Sequence, residues 1–345
     1  MELLVFKKGK MATIGCLRIS KYYTNKMRIL FFGTPDFAVG VLDTLIKNKY
    51  QVVAVVTATD QPAGRGLKLQ QSAVKQYASA HNISVLQPTN LKDETFLAEV
   101  KALHIDLQIV VAFRMMPEVL WAMPPLGTFN LHASLLPQYR GAAPINWAII
   151  NGDKQSGVTT FFLKQQIDTG NIILQQAVSI DENDTAGTLH DKLMLIGSDL
   201  VCKTIDLISK GNVQTIPQQT TMPIQLKAAP KIFKKDMLIN FNRNVHVVYN
   251  HIRGLSPYPA AYFDFESNDG KIHSIKVYEC NFEKAASVFD ENIDTDNKTY
   301  LSIHCHGGVL HLTDVQLAGK KRMLVVDFLR GFKMQGSKLI IKSNT

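Results

Sequence analysis

A chain of 345 residues, 46% apolar and 19% charged, has the make-up of an ordinary globular protein large enough for two domains with separate cores. No apolar run reaches the ~20 residues of a membrane-spanning helix, which excludes an integral membrane protein, and Cys16, Cys202, Cys280 and Cys305 form no C-x-x-C pair, which argues for a reducing compartment over a disulfide framework or zinc cluster. The net charge of +9 is uneven: residues 1–26 carry six Lys or Arg against one acid, 27–210 carry 15 against 16, and 211–345 carry 17 against 12. A near-neutral body with a basic C-terminal part suits a polyanionic partner, although solubility alone is an equal explanation of such charge.

In chain order, residues 1–26 lack the continuous apolar core and small-residue cleavage site of a secretory signal, and the Arg/Ser richness of a mitochondrial transit peptide. They are treated as an extension outside the fold. The run Met27–Phe32 reads as a strand closed by Gly33-Thr34-Pro35-Asp36, and Asp36 reads as the N-cap of a helix through Val39, Leu42, Leu45 and Ile46. Val52–Val56 is a second buried strand. A polar stretch from Thr57 to Gln71 leads to a helix at Val74–Ala80, a short strand at Ser84–Leu86, a helix at Phe96–Leu103 and strands at Leu107–Ala112 and Leu126–His132. Continuous apolar strands alternating with helices predict a Rossmann-like, mostly parallel sheet covered on both faces. Gly157–Leu163 and Asn171–Val178 follow as strands, and Thr185–Ile208 as a long helix.

Residues 211–230, rich in Gln, Thr and Pro without periodicity, read as a linker. Beyond Ile239, alternating segments such as Ile272–Tyr278, Tyr300–Cys305 and Val309–Val315, separated by Gly, Asn and Asp, predict a small antiparallel β domain. The expected organisation is an extension (1–26), a catalytic domain (27–210), a linker (211–230) and a C-terminal β-barrel domain (231–335).

The first turn tests dinucleotide binding directly. A dinucleotide fingerprint needs a second glycine where the pyrophosphate approaches, and Pro35 stands there, so NAD is not expected. No phosphate-binding Walker loop is present either. The chemistry is concentrated instead in Asn130-Leu131-His132-Ala133-Ser134-Leu135-Leu136-Pro137, continuing through Gln138-Tyr139-Arg140-Gly141. Asn130 and His132 are two apart on a predicted strand and share one face at its C-terminal end, the edge where open α/β sheets place ligands. An amide donor beside an imidazole suits addition to a carbonyl: one stabilises an oxyanion, the other donates to it or takes a proton from the attacking amine. An isolated Asn-x-His is nevertheless more often a histidine satisfied by backbone. The following turn, with Ser134, Pro137, Gly141 and Pro144, favours a loop that exposes main-chain groups. Asp168, in Ile167-Asp168-Thr169-Gly170, either forms a turn only or reaches back to orient His132.

The stretch N-L-H-A-S-L-L-P-Q-Y-R-G-A-A-P-I-N-W, with G-V-T at Gly157 and I-D-T-G at Ile167, resembles the signature of the folate-dependent formyltransferases. M-R-I-L-F-F-G-T-P-D-F-A at Met27, Q-P-A-G-R-G-L-K-L at Gln61, V-Q-L-A-G-K-K-R-M at Val315 and D-F-L-R-G at Asp327 resemble the branch whose acceptor is a tRNA-borne methionine. The likeness runs in order from Met27 to about Phe332.

The resemblance implies an OB-like C-terminal barrel that binds tRNA, and Asn130, His132 and Asp168 as the catalytic set. It implies that Ser134, Leu135, Leu136 and Pro137 hold 10-formyltetrahydrofolate, and that Arg65 and Lys68 face the acceptor stem of initiator methionyl-tRNA, in a cytoplasmic, monomeric enzyme of translation initiation. No metal is needed, because the α-amine is already a fair nucleophile. Lys320, Lys321, Arg322 and Arg330 are further tRNA candidates, each equally readable as part of a solvated basic face. Two positions depart from the pattern: Ala112-Phe113-Arg114 stands where A-Y-G is common, and Gln138 where a basic or aromatic residue is common. Three rivals keep the same fold: a formyltransferase acting on glycinamide ribonucleotide or an amino sugar, a hydrolase of the formyl folate, and an RNA-binding protein with a vestigial site. The His304-Cys305-His306 and His311 group offers too few ligands for a closed zinc site and reads as an ordinary strand.

Overall fold

The apolar runs of the N-terminal half become adjacent strands of a seven-stranded sheet. In the computed structural model, which describes residues 26–63, 68–211, 213–218 and 225–340, the chain divides into two units. One holds the residues up to Arg140 with Gly157–Ala177 and Lys192–Leu226; the other holds Gly141–Ser156, Val178–Asp191 and the chain from Lys227 onward.

The sheet is built from β1 (Arg28–Gly33), β2 (Gln51–Val56), β5 (Ser84–Leu86), β6 (Leu107–Val111), β7 (Thr128–His132), β8 (Gln155–Phe162) and β9 (Ile172–Ser179), in the order β9-β8-β7-β6-β1-β2-β5. Between β2 and β5 in sequence lie the short strands β3 (Gln61–Ala63) and β4 (Lys68–Gln70). Strands β5-β2-β1-β6-β7 pair in parallel and β8 runs antiparallel to β7, giving a mixed, Rossmann-like sheet. Every residue of β6, and all of β1 after Arg28, is buried, as expected of central parallel strands covered on both faces.

Helices α1 (Asp36–Lys47), α2 (Ala73–Ala80) and α3 (Glu94–Ala102) follow their strands. Ser72 caps α2 by accepting the Lys75 N–H, and Asp93 caps α3 by accepting that of Phe96. The expected cap at Asp36 is corrected. The helix begins one residue earlier in the turn, with Pro35 as the extended flanking residue whose carbonyl accepts the Ala38 N–H at 2.9 Å. Asp36 instead places its charge in the first turn, where the helix dipole favours it. Gly33 is required by close approach: a Cβ there would lie 2.6 Å from the Ala38 Cβ and 3.2 Å from the Val111 carbonyl oxygen.

The polar stretch Thr57–Gln71 holds a feature that sequence patterning does not reveal. β3 and β4 pair antiparallel, Gln61 opposite Gln70 and Ala63 opposite Lys68, flanking residues 64–67. Arg65 therefore lies outside the described residues, and for Lys68 the backbone alone is described, on β4.

The second unit is an antiparallel sheet in the order Ile293–Thr295, Leu301–Cys305, Gly308–Leu317, Ile272–Lys284, Ala261–Glu266, Lys338–Leu339. A bridge between Asn292 and Lys338, with Leu339 N–H donating to the Glu291 carbonyl at 2.8 Å, brings its two edges together into a nearly closed barrel. The pattern of this region reads as β only, yet Val245–Leu255 is a helix. Its Val245, Val248, Ile252 and Leu255, spaced for one helical face, are buried in the barrel core with Phe263, Phe265, Leu301 and Leu310. His304 bonds Ser287 at 2.9 Å, His306 bonds Asn242 at 2.7 Å and His311 bonds Ser302 at 2.8 Å, so each imidazole has a hydroxyl or amide partner.

Candidate active site

Strand alternation puts Asn130 and His132 on the same face of β7, at the carboxyl end of the parallel strands. Asn130 sits opposite Val110 on β6 and Phe161 on β8, so its backbone is locked from both sides. Among the described residues no group hydrogen-bonds its side-chain amide. His132 is buried, at 6% exposure, and its ring is oriented from two directions. Nε2 lies 2.8 Å from the Tyr139 carbonyl oxygen, which only accepts, so Nε2 carries a hydrogen. Nδ1 faces Asp168 Oδ2 at 3.8 Å, too far for a direct hydrogen bond but within ion-pair range. One ring nitrogen is thus satisfied by backbone, and the other faces a carboxylate.

Asp168 occupies the turn between β8 and β9 with a left-handed backbone, φ +53°. Gly170 permits the turn, because a Cβ there would overlap the Phe162 carbonyl oxygen. The Ser134–Pro137 segment is a braced turn. Buried Thr159 donates its hydroxyl to the Ser134 carbonyl at 2.7 Å and accepts the Leu136 N–H at 3.2 Å, while Gln175 donates to Thr159 Oγ1 and to the Leu136 carbonyl. The Ser134 hydroxyl is itself used inside the turn, donating to the Gln138 carbonyl at 2.7 Å. Sequence reasoning does not single out Thr159 or Gln175. Thr159 stands two residues after Gly157, in the G-V-T of the signature, and that is the one signal that could have found it. The departures near β6 have local partners: Phe113 packs edge-on against Phe32 at 5.5 Å, and Arg114 donates to the Pro88 and Thr89 carbonyls.

Within the barrel unit the four basic candidates differ. Lys320 and Lys321 are exposed beside Gly319 and have no ion-pair partner among the described residues. Arg322 is held between Asp314 at 2.8 Å and Glu279 at 3.2 Å and lies over the Tyr278 ring at 4.4 Å; Arg330 pairs with Asp327 one helical turn away. A cavity of about 460 Å³ opens near the same turn, lined by Lys234, Tyr262, Ser274, Lys276 and Gly319 among others. Lys234, at the start of a short 3-10 turn, and Lys276, on a strand, add positive charge to this side and escape sequence reasoning, because neither belongs to a recognisable motif.

The sequence matches the formyl transferase profile over residues 27–205 and the profile of the formyl transferase C-terminal domain over residues 231–333. It is 54% identical to a methionyl-tRNA formyltransferase of Parabacteroides distasonis, across 89% of this chain and 96% of that protein. It is 53% identical to the one from Flavobacterium johnsoniae, with the same coverage of both chains. The chain belongs to the methionyl-tRNA formyltransferase family. Solved structures share the fold at lower identity. A sugar 3N-formyl transferase solved with dTDP and 5-N-formyl-THF aligns at TM-score 0.58 and 22% identity, over 86% of this chain and 99% of that one. HypX from Aquifex aeolicus, in complex with tetrahydrofolic acid, aligns at TM-score 0.59 and 15% identity, over 88% of this chain and 47% of that one. The formyl transferase fold expected from the sequence, a Rossmann-like unit with a barrel-like one, is the fold of this family.

Proposed function

We propose that the chain transfers the formyl group of 10-formyltetrahydrofolate to the α-amino group of methionine esterified to initiator tRNA, in the cytoplasm, as a monomer. The observation that carries the reading is the unbonded Asn130 amide beside the His132–Asp168 pair at the carboxyl edge of the sheet, in a chain 54% identical to methionyl-tRNA formyltransferase over nearly its whole length. Among the described residues no helix is long and apolar enough to cross a membrane.

The neutral amine bonds to the formyl carbon and the formyl oxygen becomes an oxyanion, stabilised by Asn130 and by His132. Asp168 holds the imidazole for this exchange. The bond from the formyl carbon to the folate nitrogen then breaks, the amine gives up a proton, and the folate nitrogen leaves carrying one. The turn Ser134–Pro137, fixed from behind by Thr159 and Gln175, forms the wall against which the folate lies. Residues 27–210 supply this chemistry, and residues 231–335 bind tRNA through phosphates with Lys320 and Lys321 foremost. Arg322 and Arg330 add charge that is shared with acidic neighbours, and Arg65 and Lys68 address the acceptor stem.

The test is acceptor competition. Labelled formyl donor is offered together with methionyl initiator tRNA, glycinamide ribonucleotide and an amino sugar nucleotide. Label on the tRNA supports the reading; label on a small amine, or release as formate, replaces it with one of the rivals.

A further inference from the structure

Residues 213–218 belong to the stretch whose sequence reads as a linker, yet they lie along the Asp168 turn. Ile216 and Ile172 exchange backbone hydrogen bonds of 2.8 Å in both directions, and the Asn171 amide donates to the Thr215 hydroxyl at 3.2 Å. Gln218 completes the contact. Its Nε2 donates to the Asp168 carbonyl at 3.0 Å and to the Gly170 carbonyl at 2.7 Å. Its Oε1 accepts from Arg140 Nε at 3.1 Å and Nη2 at 2.7 Å. The amide cannot be turned round: a guanidinium has no acceptor, so the oxygen must face Arg140 and the nitrogen must face the two carbonyls.

These contacts join the two supports of the imidazole. On one side Tyr139, the residue before Arg140, offers the carbonyl that receives His132 Nε2. On the other, Asp168 faces Nδ1 from a left-handed backbone, φ +53°, a conformation that the surrounding hydrogen bonds hold in place. We propose that Arg140 and Gln218 are positioning residues: they fix the main chain at Asp168 and Gly170 and so set the carboxylate against His132. The proposal rests on the reading of Asp168 as the group that acts on His132. It gives the 213–218 segment a part in catalysis that is carried by one side chain 50 residues from the turn it holds.

The experiment measures kcat and KM for both substrates, with thermal unfolding alongside, for full-length Gln218→Ala, Gln218→Glu, Asp168→Asn and the Gln218→Ala/Asp168→Asn pair. A displacement near 1 Å at a reacting group typically costs up to about 10²-fold, so Gln218→Ala is expected to lose about 10–100-fold in kcat with both KM values nearly unchanged. Gln218→Glu still accepts from Arg140 but cannot donate to the carbonyls, so it should lose kcat like the alanine variant although the contact to Arg140 is kept. In the Asp168→Asn background, Gln218→Ala should cost nothing further, because the group it positions is gone. The proposal is overturned if Gln218→Ala and Gln218→Glu keep wild-type kcat, or if the loss from Gln218→Ala is as large with Asp168→Asn as without it. Wild-type turnover by Asp168→Asn would instead remove the role given to Asp168, and the proposal would fall with it.

Discussion

Replacing Thr159 by valine keeps the shape of a fully buried side chain and deletes one hydroxyl. That hydroxyl serves three partners: it donates to the Ser134 carbonyl and accepts from the Leu136 N–H and from Gln175. Gln175 retains its second acceptor, the Leu136 carbonyl at 2.9 Å, so two backbone groups lose a partner outright. A buried polar group left unsatisfied costs about 1–3 kcal/mol, which puts the substitution at about 2–5 kcal/mol after partial relaxation. Urea unfolding monitored by circular dichroism reads this as a lower midpoint with an unchanged slope. Because the freed groups brace the turn proposed to hold folate, the KM for 10-formyltetrahydrofolate should rise while that for tRNA stays put. Thr159→Ser, which keeps the hydroxyl and loses a methyl, should fall well short of the valine variant in both readouts. A valine variant within about 0.5 kcal/mol of wild type would refute the reasoning, since surface substitutions alone reach that size.

Asn130→Ala should lower kcat by about 10²–10³ with the fold intact, the usual loss for one oxyanion donor; a folded variant with wild-type kcat would remove Asn130 from the reaction. Lys320→Ala with Lys321→Ala should weaken tRNA binding and flatten the slope of its salt dependence by about one for each phosphate no longer neutralised, read from binding titrations at several salt concentrations; an unchanged slope would take both lysines out of the interface. Gly170→Ala should yield little folded protein, because the new methyl overlaps the Phe162 carbonyl; a variant that melts with wild type would show the turn to be adaptable. Burial pushes the Cys202 thiol up to about 11 and the Cys305 thiol up to about 12, so at pH 8 the thiolate fraction is roughly one in a thousand or less. Alkylation of both should be slow at that pH in the native protein and fast in denaturant, as mass spectrometry would record.

The central parallel strands were legible because their runs are apolar nearly throughout, as in β1 and β6, and β1, β2, β5 and β6 lie where the sequence places strands. Asn130 and His132 were legible as a pair because period-2 alternation fixes their common face whatever the tertiary context. The helix Val245–Leu255 was obscured by the β-rich region around it, although Val245, Val248, Ile252 and Leu255 carry a helical period. The β3–β4 hairpin was invisible for a different reason: its three-residue strands are polar and contain Pro62, so no alternation exists to read. Gln218 and Thr159 act through contacts 48–50 and 25 residues distant in sequence, set by how the sheet edge and the turns assemble, and composition carries no trace of them. Arg322 shows the converse, a basic residue in a motif whose charge is largely met by Asp314 and Glu279.

The most direct measurement is formyl transfer by the purified full-length protein from 10-formyltetrahydrofolate to methionyl initiator tRNA, beside His132→Ala. Rapid formylation by the wild type, lost in a variant that melts at the same temperature, is the predicted result. Equal formylation by both proteins would contradict the account of the site. Absence of formyl-methionyl-tRNA from an otherwise active wild type would contradict the account of its acceptor.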